Sequence, residues 1–363
     1  MAEAGCLPFR LALIQRLAQL AVRLLEKTST ASNYPLVSRA KTLLQQSTGY
    51  TLPNVCPTLR NTDREWNTRA SRIDNHIRNN IKAGANKSIV VPVFQSFITN
   101  RYQHHTKCFT DGSKDGPFTG VGVVIGNEED SHSLPDACSI FSAEAYGLLT
   151  AASNCNDNQD TIILTDSASC LDAIQGGRSK HPWIQAVENI STEQNITFCW
   201  IPGHCGITGN ERADALAKQA RNQPKLDIPI PAQDVIKAIK RNIWSTWENE
   251  WRQHQLQLRQ IKALPIKYPD RKCASEQRVL TRLRIGHTRL THSFIINKKP
   301  PPVCNYCGTQ LTVQHIFIDC RGYTGQRTSC GINGSLGEIL AFDAQREAKA
   351  LKFIKDCDIY NEI

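Results

Sequence analysis

Residues 107–126 read KCFTDGSKDGPFTGVGVVIG. Two strand-like segments, KCFTD and GVGVVIG, lie on either side of a glycine-containing turn, and a third, ACSIF, follows at residues 137–141. Asp111 ends the first of these strands and directly precedes a Gly-Ser turn, so the sequence presents a carboxylate at the end of a strand. Strands that follow one another so closely are expected to pair antiparallel.

After residue 141 the pattern changes to an alternation of helices and strands. The successive segments are helical SAEAYGLLTAASN, strand TIILTD, helical SASCLDAIQ and HPWIQAVENISTE, strand NITFCWIPG and helical GNERADALAKQAR. An antiparallel run followed by this alternation indicates an α/β domain over residues 104–222, in which helices pack against a mixed sheet.

The bulk properties of the 363-residue chain limit its classes of function. A formal net charge of +10 suits a polyanionic partner such as nucleic acid, although many solvated surfaces are also rich in Lys and Arg. Arginines interrupt the apolar N-terminal segment, so we expect no signal peptide and an intracellular protein whose 14 cysteines are reduced. No run is long and apolar enough to span a bilayer.

Four carboxylates occupy positions that a central sheet can bring to one edge. They are Asp111 and Asp166, which end strands, and Glu144 and Asp214, which lie near the starts of helices. Each alone has a structural explanation, because Asp is common in turns and helix caps and surface helices usually carry acids. Together they would repel one another without cations. Oxygen ligands of this kind suit two magnesium or manganese ions acting on a phosphodiester.

The motifs TDGSK, AEAYGLLTA, LTDSAS and WIPGHCGITGNERADALAKQA, in this order, closely resemble the ribonuclease H family in the form carried by Jockey-like non-LTR retrotransposons of insects. The resemblance covers residues 104–222, and WIPGHCGITGNERAD is its most specific part. It implies a mixed five-stranded sheet flanked by helices, and a two-ion site that hydrolyses the RNA strand of RNA/DNA hybrids. Carried over by motif, the magnesium ligands are Asp111, Glu144, Asp166 and Asp214.

The resemblance also gives His204 a role and identifies two departures from the family. His204, ten residues before Asp214, matches a mobile histidine implied in proton transfer or product release, although a loop His is usually only solvated. Ala168 stands where the family often has a polar residue that touches the minor groove. The interval from Asp166 to His204 is too short for the basic protrusion of bacterial and cellular members. We therefore expect the basic segment 223–300 to contribute to hybrid binding.

The flanks of this domain divide into further segments. Residues 1–50 have helical apolar spacing and resemble the helical connection that follows the reverse transcriptase of Jockey-like elements. No Tyr-x-Asp-Asp polymerase motif occurs, so the chain is interpreted as the C-terminal part of a retrotransposon polyprotein or as a host gene derived from one. The other segments are a linker at 51–103 with one helix around residues 63–82, a basic helical segment at 223–300, a Cys/His segment at 301–322 and a polar tail at 323–363.

The Cys/His segment, CNYCGTQLTVQHIFIDC, has the spacing C-x2-C-x7-H-x4-C. Its Cys304, Cys307, His315 and Cys320 suit a closed tetrahedral zinc site, a structural zinc knuckle that presents basic residues to nucleic acid. The alternative is four unrelated residues in a cysteine-rich chain. Upstream, Trp244, Trp247 and Trp251 recur at helical spacing, where they either stack on bases or, as the spacing favours, pack into a helical core.

These features predict a magnesium-dependent endonuclease that acts on RNA/DNA hybrids, with a nucleic acid and not a small molecule as its substrate, and with no membrane partner. The alternative is a non-catalytic nucleic-acid-binding protein, derived from a retrotransposon, that kept the fold. An integrase-like or transposase-like nuclease is a weaker interpretation, because the GHCGITGNERAD element belongs to the ribonuclease branch.

Overall fold

The computed structural model describes residues 4–58, 72–81, 86–155, 159–269 and 271–363. These form two compact units, one of Gln15–Arg241 and one of the residues up to Ile14 together with Asn242–Ile363. All 14 cysteines lie within the described ranges as free thiols. None of the helices in these ranges is both long and apolar enough to cross a bilayer.

The strands of the larger unit form two sheets. They are β1 (Val55–Cys56), β2 (Arg72–Asp74), β3 (Thr106–Asp115), β4 (Phe118–Ile125), β5 (Glu128–Leu134), β6 (Thr161–Thr165), β7 (Ile196–Trp200) and β8 (Ile230–Pro231). β1 and β8 pair in parallel as a small separate sheet. The main sheet has six strands in the order β2-β7-β6-β3-β4-β5, in which β3, β4 and β5 are antiparallel and β6, β7 and β2 run parallel to β3.

The main sheet confirms the expected mixed α/β fold with two differences. A sixth strand, β2, pairs with β7, and it lies in the stretch interpreted as a linker, where three residues are too few to leave a periodic signal. The third antiparallel strand is β5, and not the ACSIF segment at 137–141. Ser139 caps a helix that begins at Ile140, so the apolar residues of that segment form a loop and the first helical turn.

Nine α-helices are described up to residue 253, and the helical spacing of residues 1–50 is confirmed. They are α1 (Phe9–Lys27), α2 (Pro35–Thr48), α3 (His76–Asn80), α4 (Lys87–Arg101), α5 (Ile140–Ser153), α6 (Ala168–Gly176), α7 (Pro182–Glu193), α8 (Thr208–Gln219) and α9 (Ala232–Gln253). Half of the helix expected around residues 63–82 lies outside the described residues, and its described part folds as β2 and α3. The stretch 51–103 also contains α4, so it holds more regular structure than a linker.

Helix α8 packs unusually close to the sheet because β4 carries two glycines. A Cβ atom on Gly122 would lie 2.0 Å from the carbonyl oxygen of Ala213, and one on Gly120 would lie 2.0 Å from that of Ala217. Real Cβ atoms do not approach so closely, so only glycine leaves room for the helix backbone here. The sequence GVG therefore fixes the depth of α8 against the sheet.

The smaller unit is helical and has its own hydrophobic core. Its helices beyond α9 are α10 (Gln257–Ile261), α11 (Ala274–Ile285), α12 (Arg289–Asn297), α13 (Thr324–Cys330), α14 (Leu336–Ile339) and α15 (Ala344–Asp356). Leu283, Phe317 and Phe353 are fully or almost fully buried in that core. Residues 323–363 are thus not a free polar tail, since apolar side chains at helical spacing in α15 pack inward. Trp247 and Trp251 are also buried, which confirms their interpretation as core residues, whereas Trp244 is only half-buried.

Candidate active site

Two of the predicted acids are adjacent because their strands are adjacent. β3 and β6 pair in parallel with Thr110 opposite Thr165, so the next residues, Asp111 and Asp166, emerge at the same level of the sheet. β6 ends at Thr165, as expected, whereas β3 continues past Asp111 to Asp115 in its pairing with β4, so the strand end and Gly-Ser turn predicted at Asp111 are wrong. Asp111 is buried and Asp166 is half-buried. The register of two central strands therefore brings the two carboxylates together.

Glu144 reaches the same place from helix α5. Its Oε1 accepts a hydrogen bond of 3.1 Å from the backbone N–H of Gly112. A Cβ on Gly112 would lie 3.0 Å from the Cβ of Ala143 and 3.1 Å from Oε1 of Glu144, so the glycine lets the helix approach the strand. Carboxylate oxygens of Asp111, Glu144 and Asp166 all lie within 4.8 Å of one another.

The electrostatics of the cluster disfavour three bare negative charges. Burial raises the pKa of Asp111 to about 8, and the charges of Asp166 and Asp214 contribute to this rise. Burial, followed by the charge of Asp111, holds the pKa of Glu144 well above its usual range. Burial likewise raises the pKa of Asp166. Oε2 of Glu144 is buried without a hydrogen-bond partner. A divalent cation would neutralise the cluster and satisfy that oxygen, so the donor set fits such an ion.

Asp214 stands beside this triad on α8. It is a neighbour of Asp111, since its charge raises the pKa of that residue. Its Oδ2 also accepts a hydrogen bond of 2.7 Å from Nζ of Lys218, one helical turn later. The Lys218 side chain is exposed, so this ion pair contributes little to stability. The depth of α8, fixed by the glycines of β4, determines how far Asp214 reaches towards Asp111.

The loop after β7 covers Asp166. A Cβ on Gly203 would lie 2.2 Å from Oδ2 of Asp166, so the loop backbone lies directly against that carboxylate. His204 follows with a φ of 55°, in the left-handed region that is uncommon for a non-glycine residue. The electrostatic interaction of His204 with Asp166 lowers the pKa of that carboxyl and so acts against the rise caused by burial. His204 therefore lies at the edge of the acidic cluster.

Asn210 is a site neighbour that the sequence reasoning missed. Its side chain is buried, and a hydrogen bond from it to Asp166 lowers the pKa of that carboxyl. Its Oδ1 has no partner, so the amide nitrogen is the donating atom. The only signal in the sequence was its place within GNERAD, four residues before Asp214.

The predicted zinc ligands also converge, in the smaller unit. The ligand atoms of Cys304, Cys307, His315 and Cys320 lie within 4.8 Å of one another. The Sγ atom of Cys320 is 3.6 Å from that of Cys304 and 4.0 Å from that of Cys307.

His315 is oriented towards these sulfurs. Its Nδ1 lies 3.4 Å from Oγ1 of Thr309, and its buried Nε2 has no hydrogen-bond partner. A histidine held at one ring nitrogen with the other left bare is typical of a metal ligand. The donor set therefore fits a tetrahedral ion such as zinc.

A family model and curated relatives each match part of the chain. A family model described as RNase H matches residues 103–222. Over 134 residues the chain is 31% identical to a ribonuclease H of Shewanella frigidimarina, which covers 31% of this chain and 85% of that protein. A ribonuclease H of Desulforamulus reducens is 30% identical over 105 residues, covering 24% of this chain and 64% of that protein.

A viral polyprotein is similar over a stretch of comparable length to those of the two bacterial proteins. The Pol polyprotein of equine infectious anemia virus, strain Wyoming, is 31% identical over 114 residues, which cover 30% of this chain. The matched stretch spans only 10% of that polyprotein.

Proposed function

The chain belongs to the ribonuclease H family, and we propose that it hydrolyses the RNA strand of RNA/DNA hybrids at the acidic cluster described above. The ligands of the proposed site are Asp111, Glu144, Asp166 and Asp214. One observation carries the proposal: three carboxylates from two strands and a helix meet within 4.8 Å, inside the region that matches the family. Stability alone would not favour such a gathering of like charges.

The four carboxylates would hold two divalent cations, magnesium or manganese. Such ions, when bound, supply an activated water and stabilise the charge that develops on the leaving 3′ oxygen. The residues of the chain fix the ligand positions. Gly112 lets α5 bring Glu144 onto β3, and Asn210 holds the carboxyl of Asp166 by a hydrogen bond.

His204 would move a proton near the leaving group. It lies on the loop that abuts Asp166, next to the acids but outside the triad whose atoms converge. An imidazole changes its charge near neutral pH, which suits proton transfer or product release. Its place at the edge of the cluster supports this role.

Cleavage of a labelled RNA/DNA hybrid tests the proposal. The full chain should cut the RNA strand with magnesium but not with chelator, and should leave matched duplex RNA and duplex DNA intact. Asp111→Asn should reduce the cleavage rate to below about one-hundredth of the wild-type rate, because the substitution removes a metal-binding carboxylate that neighbours both Asp166 and Asp214. Asp115→Asn is the matched control, since Asp115 lies on the same strand with a 75% exposed side chain. The proposal fails if Asp111→Asn cuts at the wild-type rate, or if the wild type binds hybrid without cutting it.

We also propose that the chain derives from the C-terminal part of a Jockey-like retrotransposon polyprotein and acts inside the cell on nucleic acid. The likeness to a viral Pol polyprotein supports an origin in a reverse-transcribing element. The N-terminal helices and the C-terminal Cys/His cluster, on either side of the family match, are consistent with it.

The Cys/His cluster is proposed to bind one structural zinc ion. The converging thiols and the bare Nε2 of His315 support this. The segment also contributes Val313, Ile316 and Phe317 to the core of the smaller unit, so zinc would stabilise a segment that already packs.

A further inference from the structure

The N-terminus of α5, the helix that carries Glu144, has half of a capping box. In a capping box the N-cap hydroxyl accepts the N–H of the third helical residue, whose own side chain accepts the N–H of the N-cap. Here Oγ of Ser139 accepts from the N–H of Ser142, at 3.3 Å. Oγ of Ser142 does not accept the N–H of Ser139 in return, although a hydroxyl at this position can, as Thr291 does in α12.

The missing acceptor comes from a distant part of the chain. Oδ2 of Asp234, in the first turn of α9, accepts the N–H of Ser139 at 2.9 Å and the hydroxyl of Ser142 at 2.5 Å. Both Ser142 and Asp234 are at least 98% buried. Asp234 therefore completes the cap from outside the helix, and from outside the region that matches the family.

His181 closes the network on the other side. Its Nε2 lies 2.9 Å from Oγ of Ser142. The single hydroxyl hydrogen of Ser142 is used on the carboxylate, so Nε2 must donate to Ser142. Burial lowers the pKa of His181 to about 4, which keeps this ring neutral at physiological pH. The buried network thus has one consistent set of donors and acceptors.

The chain between α8 and α9 is fixed along the edge of the sheet. The N–H of Leu226 donates to the carbonyl of Ser133 at 2.8 Å, and Nζ of Lys225 lies 2.7 Å from a carboxylate oxygen of Asp136. Further along, Ile230 pairs with Val55 in the small sheet. These contacts deliver Asp234 to α5 in a fixed position.

Ser142 and Glu144 lie two residues apart in α5, so they point to roughly opposite sides of the helix. Ser142 is bonded to Asp234, while Glu144 is bonded to Gly112 of the sheet. We propose that Asp234 is a positioning residue: it holds the first turn of α5 so that Glu144 stays in the acidic cluster. This inference rests on the proposed function of that cluster.

Three full-chain variants test the inference, namely Asp234→Ala, Asp234→Asn and Asp227→Asn. Asn keeps the volume and one acceptor oxygen of Asp234, so it gives a folded comparison if the Ala variant does not fold. Asp227 lies in the same segment and is more accessible to solvent than Asp234, so it is the matched control.

The first readout is amide hydrogen exchange of residues 139–144 in metal-free protein. Exchange should be faster in Asp234→Ala, intermediate in Asp234→Asn and unchanged in Asp227→Asn. Unchanged exchange in a folded Asp234→Ala protein would overturn the inference, whatever the catalytic result.

The second readout is hybrid cleavage as a function of magnesium. Asp234→Ala should lower kcat by about tenfold to a hundredfold, the scale of a small misplacement of a reacting group, and should raise the magnesium concentration at half-maximal rate. KM for hybrid should stay within about twofold, because Asp234 is buried away from substrate. Faster exchange with unchanged kcat would make Asp234 merely structural and overturn the positioning role. A wild type that does not cleave hybrid would refute the proposed function instead. The exchange measurement would still test whether Asp234 stabilises the first turn of α5.

Discussion

Asp111 is an acid whose charged form the fold disfavours. It is buried beside Asp166 and Asp214, and its pKa is raised to about 8. An aspartate in the unfolded chain loses its proton above its ordinary pKa, near 4. In the metal-free folded protein Asp111 keeps that proton up to about pH 8. The free energy of unfolding should fall as the pH rises through this window.

Metal-free unfolding at several pH values checks this sign. With chelator present, Asp111→Asn and wild type should differ little near pH 4, and the variant should become progressively more stable than wild type up to about pH 8, because its amide cannot ionise. Added magnesium should stabilise wild type and narrow the difference. A difference that stays constant from about pH 4 to about pH 9 would mean that Asp111 titrates normally.

At the scale of elements, the site depends on how closely helices approach strands. α8 lies against β4 at a distance that only glycine permits, and α5 reaches β3 through Gly112. Both contacts set the reach of an acidic side chain. A change in either glycine should therefore alter stability and chemistry together.

Gly122→Ala is the sharpest test of that packing. The new methyl group would meet the carbonyl oxygen of Ala213 at 2.0 Å, so α8 must move outward. We expect a loss of about 1–3 kcal/mol in the free energy of unfolding, and slower hybrid cleavage as Asp214 moves with the helix. The control is Gly176→Ala in α6, which has open space around its Cβ and should be neutral or slightly stabilising. Equal denaturation midpoints for the two variants would contradict the packing argument.

Zinc content tests the Cys/His cluster. Protein purified without chelator should carry about one zinc per chain, because four converging soft ligands form a closed site. Cys307→Ser should lose the zinc and open residues 301–322 to proteolysis, while magnesium-dependent hybrid cleavage stays near wild type. Cys273→Ser, an exposed cysteine of the same unit, is the control and should keep the metal. Elemental analysis that finds no zinc in the wild type would reduce the cluster to ordinary thiols and a histidine.

The sequence predicted the elements whose signals are local. Asp166 could be placed at the sheet edge because the end of its strand is visible in LTDSAS. For Asp111 the reason was wrong, because TDGSK lies inside β3 and no turn follows Asp111. The strand β2 was missed because three residues carry no period, and β5 because an exposed edge strand has few apolar residues. The role of Asp234 was out of reach, since its partner Ser142 is 92 residues away and no local pattern links them.

At the scale of the whole molecule, the question is where the binding energy for a polyanion comes from. The chain carries 43 Lys and Arg residues against 33 Asp and Glu, and the family match covers only residues 103–222. Basic side chains also lie along α11, which carries Arg282 and Arg284 in its last turn, but Arg284 is buried on Glu347 and cannot bind a phosphate. We therefore expect exposed lysines and arginines to bind the phosphates.

The salt dependence of hybrid binding should show how many phosphates the exposed lysines and arginines of each part of the chain neutralise. A chain of residues 1–241 should cut hybrid at saturating enzyme but bind more weakly. Its slope of log affinity against log salt should be shallower by about one for each phosphate that the shorter chain no longer neutralises. A chain ending at residue 222 should, at saturating enzyme, cut more slowly than that of 1–241, because it lacks Asp234. Identical salt slopes for the full chain and residues 1–241 would show that the larger unit alone neutralises the phosphates.

The remote cap on α5 also orders events during synthesis. Ser139 and the carboxylate that accepts its N–H are 95 residues apart in the chain. At ordinary ribosomal rates that separation takes roughly 5–20 s to translate. During this interval the last of the four acids, Asp214, is added to the nascent chain. The helix that carries Glu144 still lacks Asp234, the acceptor of its cap. A message truncated between codons 222 and 234 would accordingly encode every proposed magnesium ligand and all of α8. We expect its product to cut hybrid more slowly than the full chain, so that full cleavage activity is reached only after translation has passed the end of the family domain.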